Sequence, residues 1–99
     1  MSVELIAKLA KCEYGKYFLI RSYSLELLFC LLESEELVGI EGLLGSLRSA
    51  TPKFPAFLSY ISLLESKGCI YKLENKTKRS QKVIGLTPEA SSAIRSYFN

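Results

Sequence analysis

The feature that most constrains the fold is a stretch in the second half of the chain that reads as a helix end, two short strands and a new helix start. Gly68 is a natural helix stop, because glycine adopts the left-handed conformation that commonly follows a helix. Strands are predicted at about 69–74 and 82–87, with a polar segment over 75–81 between them. Thr87 then caps a helix that begins with proline. The stretch therefore predicts a β-hairpin held between two helices.

The polar segment of this hairpin carries a concentrated positive charge. Residues 1–52 have a balance of −2 and residues 53–99 a balance of +5. Half of the basic residues in the second part lie within seven positions, and these are Lys76, Lys78, Arg79 and Lys82. Such a local field favours a polyanionic partner. The alternative is a hairpin tip whose charges serve solubility.

Helical periodicity and capping signals predict four helices before the hairpin. The first spans 3–11, and the segment from Tyr17 to Ile20 is predicted to continue as helix, with a short extended piece as the alternative. A helix capped by Ser22 or Ser24 runs to about Glu33. The remaining two are predicted at about 39–49 and, after a proline-rich turn, over 55–67 with Pro55 as the first residue.

The predicted order of elements is four helices, two strands and a final helix. The chain of 99 residues is long enough for one compact core, and its 48% of apolar residues argues against disorder. We expect an α+β fold that is mainly α: a winged helix-turn-helix with a three-helix core, a two-stranded β-hairpin wing and N- and C-terminal helices. The predicted parts of this single domain are an N-terminal dimerisation arm over 1–22, a winged-helix core over 23–87 and a C-terminal helix over 88–99.

The composition argues against several function classes. The chain has no His and no Asp, and Cys12, Cys30 and Cys69 lack metal-binding spacing, so we expect no metal site and no cofactor. The sequence also has no Gly-rich phosphate loop and no pair of acidic residues on a defined face. We therefore expect that the protein is not an enzyme and has no catalytic residue. Cys30 and Cys69 are predicted to be buried thiols, while a disulfide pair or an intersubunit bridge through Cys12 remains open.

No part of the sequence has the pattern of a membrane-inserted or exported segment. The longest apolar run, Leu27 to Leu32, is too short to span a bilayer. The N-terminus lacks a basic region followed by an apolar stretch, as a signal peptide would have. We therefore expect a soluble, cytoplasmic protein with no membrane partner.

Two motifs carry a family resemblance. Leu64-Glu65-Ser66-Lys67-Gly68 at a helix end, and Leu86-Thr87 at the end of the second wing strand, resemble the winged-helix core of MarR-type transcriptional regulators. The likeness covers roughly residues 23–92. It implies a dimeric protein that binds double-stranded DNA, with helix 55–67 in the major groove and wing 75–82 on the minor groove and phosphates.

The resemblance and the side-chain chemistry together give a set of candidate DNA contacts. Arg79 falls where family members carry a wing arginine, and its neighbouring lysines would neutralise phosphates. On helix 55–67, hydroxyl groups could hydrogen-bond to bases, and Ala56 or Leu58 could contact a thymine methyl group. The candidate residues are Thr51, Lys53, Ser59, Tyr60, Ser62, Lys76, Lys78, Arg79, Ser80 and Lys82.

Two features depart from the family's pattern. Lys78 stands where the wing usually has an acidic residue before its arginine. In addition, the predicted core stripe of helix 55–67 leaves few hydrogen-bonding side chains to face DNA; the stripe consists of Phe57, Tyr60, Ile61 and Leu64. Exposed Leu58 and Leu63 would suit a protein partner, so a winged-helix protein-interaction module is the alternative function.

The two chain ends carry more apolar surface than a three-helix core is expected to cover. Large exposed apolar patches usually mark an interface, and a twofold homodimer is the economical arrangement. The alternative is that both end helices pack on their own subunit. The sequence leaves open whether a small-molecule effector exists.

Overall fold

The computed structural model of the chain describes residues 3–34, 37–48, 50–74 and 82–97. Its helices are α1 Val3–Lys11, α2 Ser24–Glu33, α3 Ile40–Ser46, α4 Phe54–Ser66 and α5 Pro88–Ser96, with a 3₁₀ helix at Gly15–Leu19. Its strands are β1 Val38–Gly39, β2 Ile70–Glu74 and β3 Lys82–Leu86. The predicted winged helix-turn-helix, mainly α with a β-hairpin wing, is confirmed.

The sheet has one strand more than predicted. Its order is β1-β3-β2, and the added strand pairs Val38 with Ile84 and Gly39 with Val83 in antiparallel register. A strand of two residues has no measurable alternation, so its sequence carries no signal of its own. Because Gly39 is extended, α3 begins at Ile40, and it ends at Ser46, three residues before the predicted end.

The wing is anchored at its base to the helices on either side. Gly68 adopts a φ of +77° after α4, and the N–H groups of Gly68 and Cys69 donate to the carbonyls of Glu65 and Leu64 at 3.1 and 3.0 Å. This is the paired bonding that closes a helix at a left-handed glycine. The Thr87 Oγ1 atom donates to the Gly68 carbonyl at 2.6 Å and accepts from the Ala90 N–H at 3.2 Å. One threonine therefore joins the ends of α4, the wing and α5.

The core lies where α2, α4 and the sheet meet, and both end helices contribute to it. The predicted stripe of α4 is confirmed, since all four of its residues are buried; these are Phe57, Tyr60, Ile61 and Leu64. Leu9 of α1 and Ile94 of α5 have no exposed surface. The end helices thus pack on their own subunit along one face.

The segment between α1 and α2 is helical, as predicted, but as a 3₁₀ turn. Gly15 begins it, and a Cβ atom there would lie 2.9 Å from Leu9 Cδ2 and 3.0 Å from Cys12 Cβ. Glycine is needed because α1 packs directly against this turn. The predicted serine cap of α2 is wrong: Tyr23 occupies the cap position without a side-chain bond, and Ser24 is the first helical residue.

The three cysteines are free thiols. Cys69 is buried as predicted, and Cys12 is buried as well. The prediction for Cys30 is wrong, because its side chain is only half-buried on α2. Burial raises the pKa of Cys69 to about 11, and the nearby Cys12 contributes to the increase.

Across the described ranges, no helix has both the length and the apolar character needed to cross a membrane.

Candidate nucleic-acid interface

Helices α3 and α4 form the helix-turn-helix, and α4 presents a positively polarised first turn. Lys53 is extended and precedes the helix, and the Phe57 N–H donates to its carbonyl at 2.9 Å. Pro55 is the second residue of α4 rather than the first, as the helix starts at Phe54. No side chain caps this end and no acidic residue lies in its first turn. The unpaired N–H groups therefore leave partial positive charge that attracts anions.

The solvent-facing strip of α4 has an apolar first turn and polar side chains after it. Pro55, Ala56, Ser59 and Ser62 are exposed, as the predicted core stripe requires. Leu58 and Leu63 are half-buried and pack against the core. The surface that favoured a protein partner is thus smaller than the sequence suggested.

The prediction that the Tyr60 hydroxyl reaches DNA is wrong. Tyr60 is 1% exposed, and its hydroxyl donates to the Tyr17 carbonyl at 2.5 Å and accepts from Ser24 Oγ at 2.8 Å. Burial raises the pKa of Tyr60 to about 12, the bond from Ser24 lowering it in part. Tyr60 joins α4 to α2 and to the 3₁₀ turn inside the core.

The other candidate side chains near α4 lie at the surface. Thr51 and Lys53 are exposed in the turn that leads into the helix. The Ser59 hydroxyl is also exposed, but it donates to the Pro55 carbonyl at 3.1 Å. Ser62 is exposed on the same side of the helix. These four residues remain predicted DNA contacts.

The structure describes the base of the wing. Lys76, Lys78, Arg79 and Ser80 lie outside the described residues. Lys82 is exposed, and its Nζ lies 3.0 Å from Glu74 Oε1 on the paired strand. A phosphate at this position would compete with the Glu74 carboxylate for Lys82.

A second ion pair connects the wing to α4, and sequence reasoning did not predict it. Lys72 Nζ of β2 lies 3.4 Å from Glu65 Oε1 in the last turn of α4. Since both side chains are partly exposed, the pair contributes little to stability, about 0–1 kcal/mol. The pair shows that β2 runs beside the last turn of α4.

Sequence reasoning also missed Phe54, the first residue of α4. Its side chain is 41% exposed. The predicted helix start at Pro55 left this residue in the preceding turn, where an aromatic ring is expected to fold back onto the core. A helix beginning one residue earlier would have placed Phe54 in the exposed first turn.

Comparison with known proteins relates this geometry to solved structures. No family model and no curated protein matches the sequence. The S. aureus MepR–DNA complex matches with a TM-score of 0.68 at 18% identity, covering 94% of this chain and 73% of that one. A MarR-like protein from Bacillus cereus ATCC 10987 matches with a TM-score of 0.67 at 14% identity, covering 95% and 63%. A MepR point mutant from a multidrug-resistant S. aureus clinical isolate matches with a TM-score of 0.57 at 18% identity, covering 73% and 50%.

These likenesses establish the fold. The chain has the winged-helix fold of MarR-family regulators, as its two motifs predicted. It covers half the length of the MepR mutant chain and 63% of the B. cereus chain. At these sequence identities the solved structures establish the fold of the chain, and its function has to be inferred from the site.

Proposed function

We propose that the chain is a DNA-binding regulator of transcription that places α4 in the major groove and the wing on the adjacent minor groove and phosphates. The observation that carries this proposal is the first turn of α4. It is uncapped, free of acidic residues and preceded by exposed Lys53. Such a helix end attracts phosphates, and the N-terminal residues of a recognition helix contact base edges.

The position of the wing supports the same docking mode. Thr87 and Gly68 fix its base to the end of α4, and buried Ile70 anchors the start of β2 in the core. The basic positions Lys76, Lys78 and Arg79 follow β2 in the sequence. A wing held in this way would bring cations to DNA whenever α4 enters a groove. One of the matched solved structures, MepR, is in complex with DNA.

We further propose that the chain acts as a homodimer through its two end segments. Val3, Ile6 and Ile20 are 81%, 39% and 47% exposed although they are large and apolar. Leu9 and Ile94, on the two end helices, are fully buried. One face of the end segments therefore serves the subunit core, while the other remains available to a second copy. A dimer would present two recognition helices to a pseudo-palindromic site.

The protein-interaction module is the weaker alternative, because Leu58 and Leu63 are half-buried rather than exposed. We also propose no catalytic activity and a cytoplasmic location, as expected for a regulator that acts on DNA.

The test is a duplex-DNA titration that compares the wild type with Ala56→Glu. This change puts a negative charge on the exposed strip of α4, and we expect it to abolish binding by repelling phosphates. Ser34→Glu is the matched control, because it adds the same charge to an exposed position after α2, outside α4, the wing and the end helices. The proposal would be overturned if the wild type bound no duplex at low salt. It would also be overturned if Ala56→Glu bound DNA as well as the control variant. Sedimentation of the wild type at micromolar concentration tests the dimer, and a single 11.1 kDa species would contradict it.

A further inference from the structure

We propose that the first turn of α4 recognises DNA sequence through the C5-methyl groups of thymine, with Phe54 as the principal contact. This inference rests on the proposed function, because it requires α4 to enter the major groove. Among the large apolar residues of α4, only Phe54 has more than a third of its surface exposed, at 41%. Pro55 and Ala56 extend the apolar surface along the same turn.

Most polar side chains of α4 are already engaged, and on its exposed side the Ser62 hydroxyl is the one left to donate to a base. The Ser59 hydroxyl donates its proton to the Pro55 carbonyl, and the Ser66 hydroxyl donates to Leu63 at 2.7 Å. Tyr60 is buried. The carboxylate of Glu65 pairs with Lys72. Bidentate recognition of guanine or adenine needs Arg, Lys, Asn or Gln, and α4 contains none of these.

The surroundings of Phe54 fit nucleic acid better than an apolar protein surface. Lys53 precedes it and is exposed, and the unpaired N–H groups of the first turn add partial positive charge. An apolar ring beside positive charge matches the floor and wall of the major groove, where base edges lie between rows of phosphates. Charge complementarity therefore selects DNA as the occupant.

Thymine is the base whose chemistry this turn can recognise. It alone presents a methyl group in the major groove, and phenylalanine and alanine are side chains that make apolar contact with it. The same apolar turn placed against a G·C pair would remove water from the cytosine amino group and the guanine oxygen without replacing their hydrogen bonds. Leaving such groups unpaired is costly. The turn would thus favour thymine and disfavour G·C pairs at the contacted positions.

The experiment measures how much the thymine methyl group contributes to affinity while the rest of the duplex stays the same. A duplex is selected from a randomised pool by the wild-type chain, and it is then prepared with thymine or with uracil, which lacks only the methyl group. We expect the uracil duplex to bind about fourfold more weakly for each methyl group that the turn buries. Phe54→Ala should bind the thymine duplex more weakly and lose the distinction between the two. Phe54→Leu is the matched control, because it keeps an apolar contact and should keep part of the preference.

The possible outcomes distinguish a failure of thymine recognition from a failure of the proposed DNA binding, on which it rests. If the wild type binds no duplex at low salt, the proposed function fails and the inference fails with it. If it binds the thymine and uracil duplexes equally, DNA binding stands and the methyl readout is wrong. If Phe54→Ala keeps the full preference, Phe54 is not the contact. The salt dependence of Phe54→Ala should match that of the wild type, since the residue is uncharged, and affinities are compared well below the melting temperature of the variant because part of the ring is buried.

Discussion

Replacing Tyr60 by phenylalanine tests the hydrogen-bonded link that the structure places inside the core. The change removes one hydroxyl and keeps the aromatic ring, which contacts Tyr23 edge-on with centroids 5.6 Å apart. The Tyr17 carbonyl then loses its donor and the Ser24 hydroxyl loses its acceptor. Ser24 Oγ still accepts from the Arg21 N–H at 2.9 Å. The variant therefore removes two hydrogen bonds and leaves the Tyr17 carbonyl without its donor and the Ser24 hydroxyl without its acceptor.

The magnitude follows from those two groups. A buried polar group left without its partner costs about 1–3 kcal/mol. The Tyr17 carbonyl is partly buried and can regain some hydration, so we expect about 2–3 kcal/mol in the free energy of unfolding for Tyr60→Phe. For a domain of this size, each kcal/mol lowers the melting temperature by about 4–8 °C. The expected decrease is therefore about 10–20 °C.

Thermal unfolding followed by circular dichroism measures this decrease. Tyr71→Phe is the matched control, because Tyr71 is 38% exposed and should tolerate the loss of its hydroxyl. Duplex-DNA affinity measured well below the melting temperature should be the same for Tyr60→Phe and the wild type, since the hydroxyl does not face DNA. A melting temperature within about 3 °C of the wild type would refute the buried network. A large loss of affinity in a folded variant would instead restore Tyr60 as a DNA contact.

Three further predictions concern the base of the wing and the buried thiol. Gly68→Ala should lower stability by about 1–2 kcal/mol in a urea titration, because a φ of +77° is unfavourable for a residue with a Cβ atom; an unchanged midpoint would contradict this. Thr87→Val should cost about 1–2 kcal/mol in the same assay by removing the cap of α5, and a loss below the error of the measurement would argue against the cap. The folded-state pKa of Cys69 is raised from 9.0 to about 11, so the protonated thiol stabilises the fold fully below pH 9 and this contribution is lost as the pH rises from 9 through 11. Cys69→Ala should accordingly lose less stability than the wild type between about pH 8 and 11, and parallel pH profiles would show that the thiol does not titrate as described.

The parts of the fold that the sequence predicted are those with local causes. Gly68 ends α4 because glycine has no Cβ atom and adopts the left-handed conformation at little cost, a property of that one residue. Thr87 and the proline after it define the start of α5 in the same way. The α4 core stripe follows from the helical repeat. Strand β1 differs, because its two residues become a strand only by pairing with β3, more than forty residues later.

The candidate site was predicted less completely, for reasons that lie in tertiary structure. The helical repeat places Tyr60 in the buried stripe, yet only the packed structure brings Tyr17 and Ser24 to its hydroxyl. Lys82 is recognisable as a basic wing residue, but its pairing with Glu74 depends on the register of the two strands. Phe54 was missed because the exposure of a ring at a helix start depends on what the preceding turn covers. The tertiary structure thus decides which of the candidate side chains remain available at the surface.

Our central proposal is that α4, the lysine before it and the wing bind duplex DNA together. The most direct measurement is the affinity for a duplex of about 30 base pairs, roughly three helical turns, at about 50 and 200 mM salt. It is made for the wild type, Lys53→Ala, the double variant Lys78→Ala/Arg79→Ala, and Lys8→Ala as a control on α1. We predict that wild-type affinity falls steeply with salt, that each removed phosphate contact reduces the slope of log K against log salt by about 0.9, and that Lys8→Ala leaves the slope unchanged. Absence of binding at the lower salt concentration, or slopes that are equal in the wild type and both interface variants, would contradict the account.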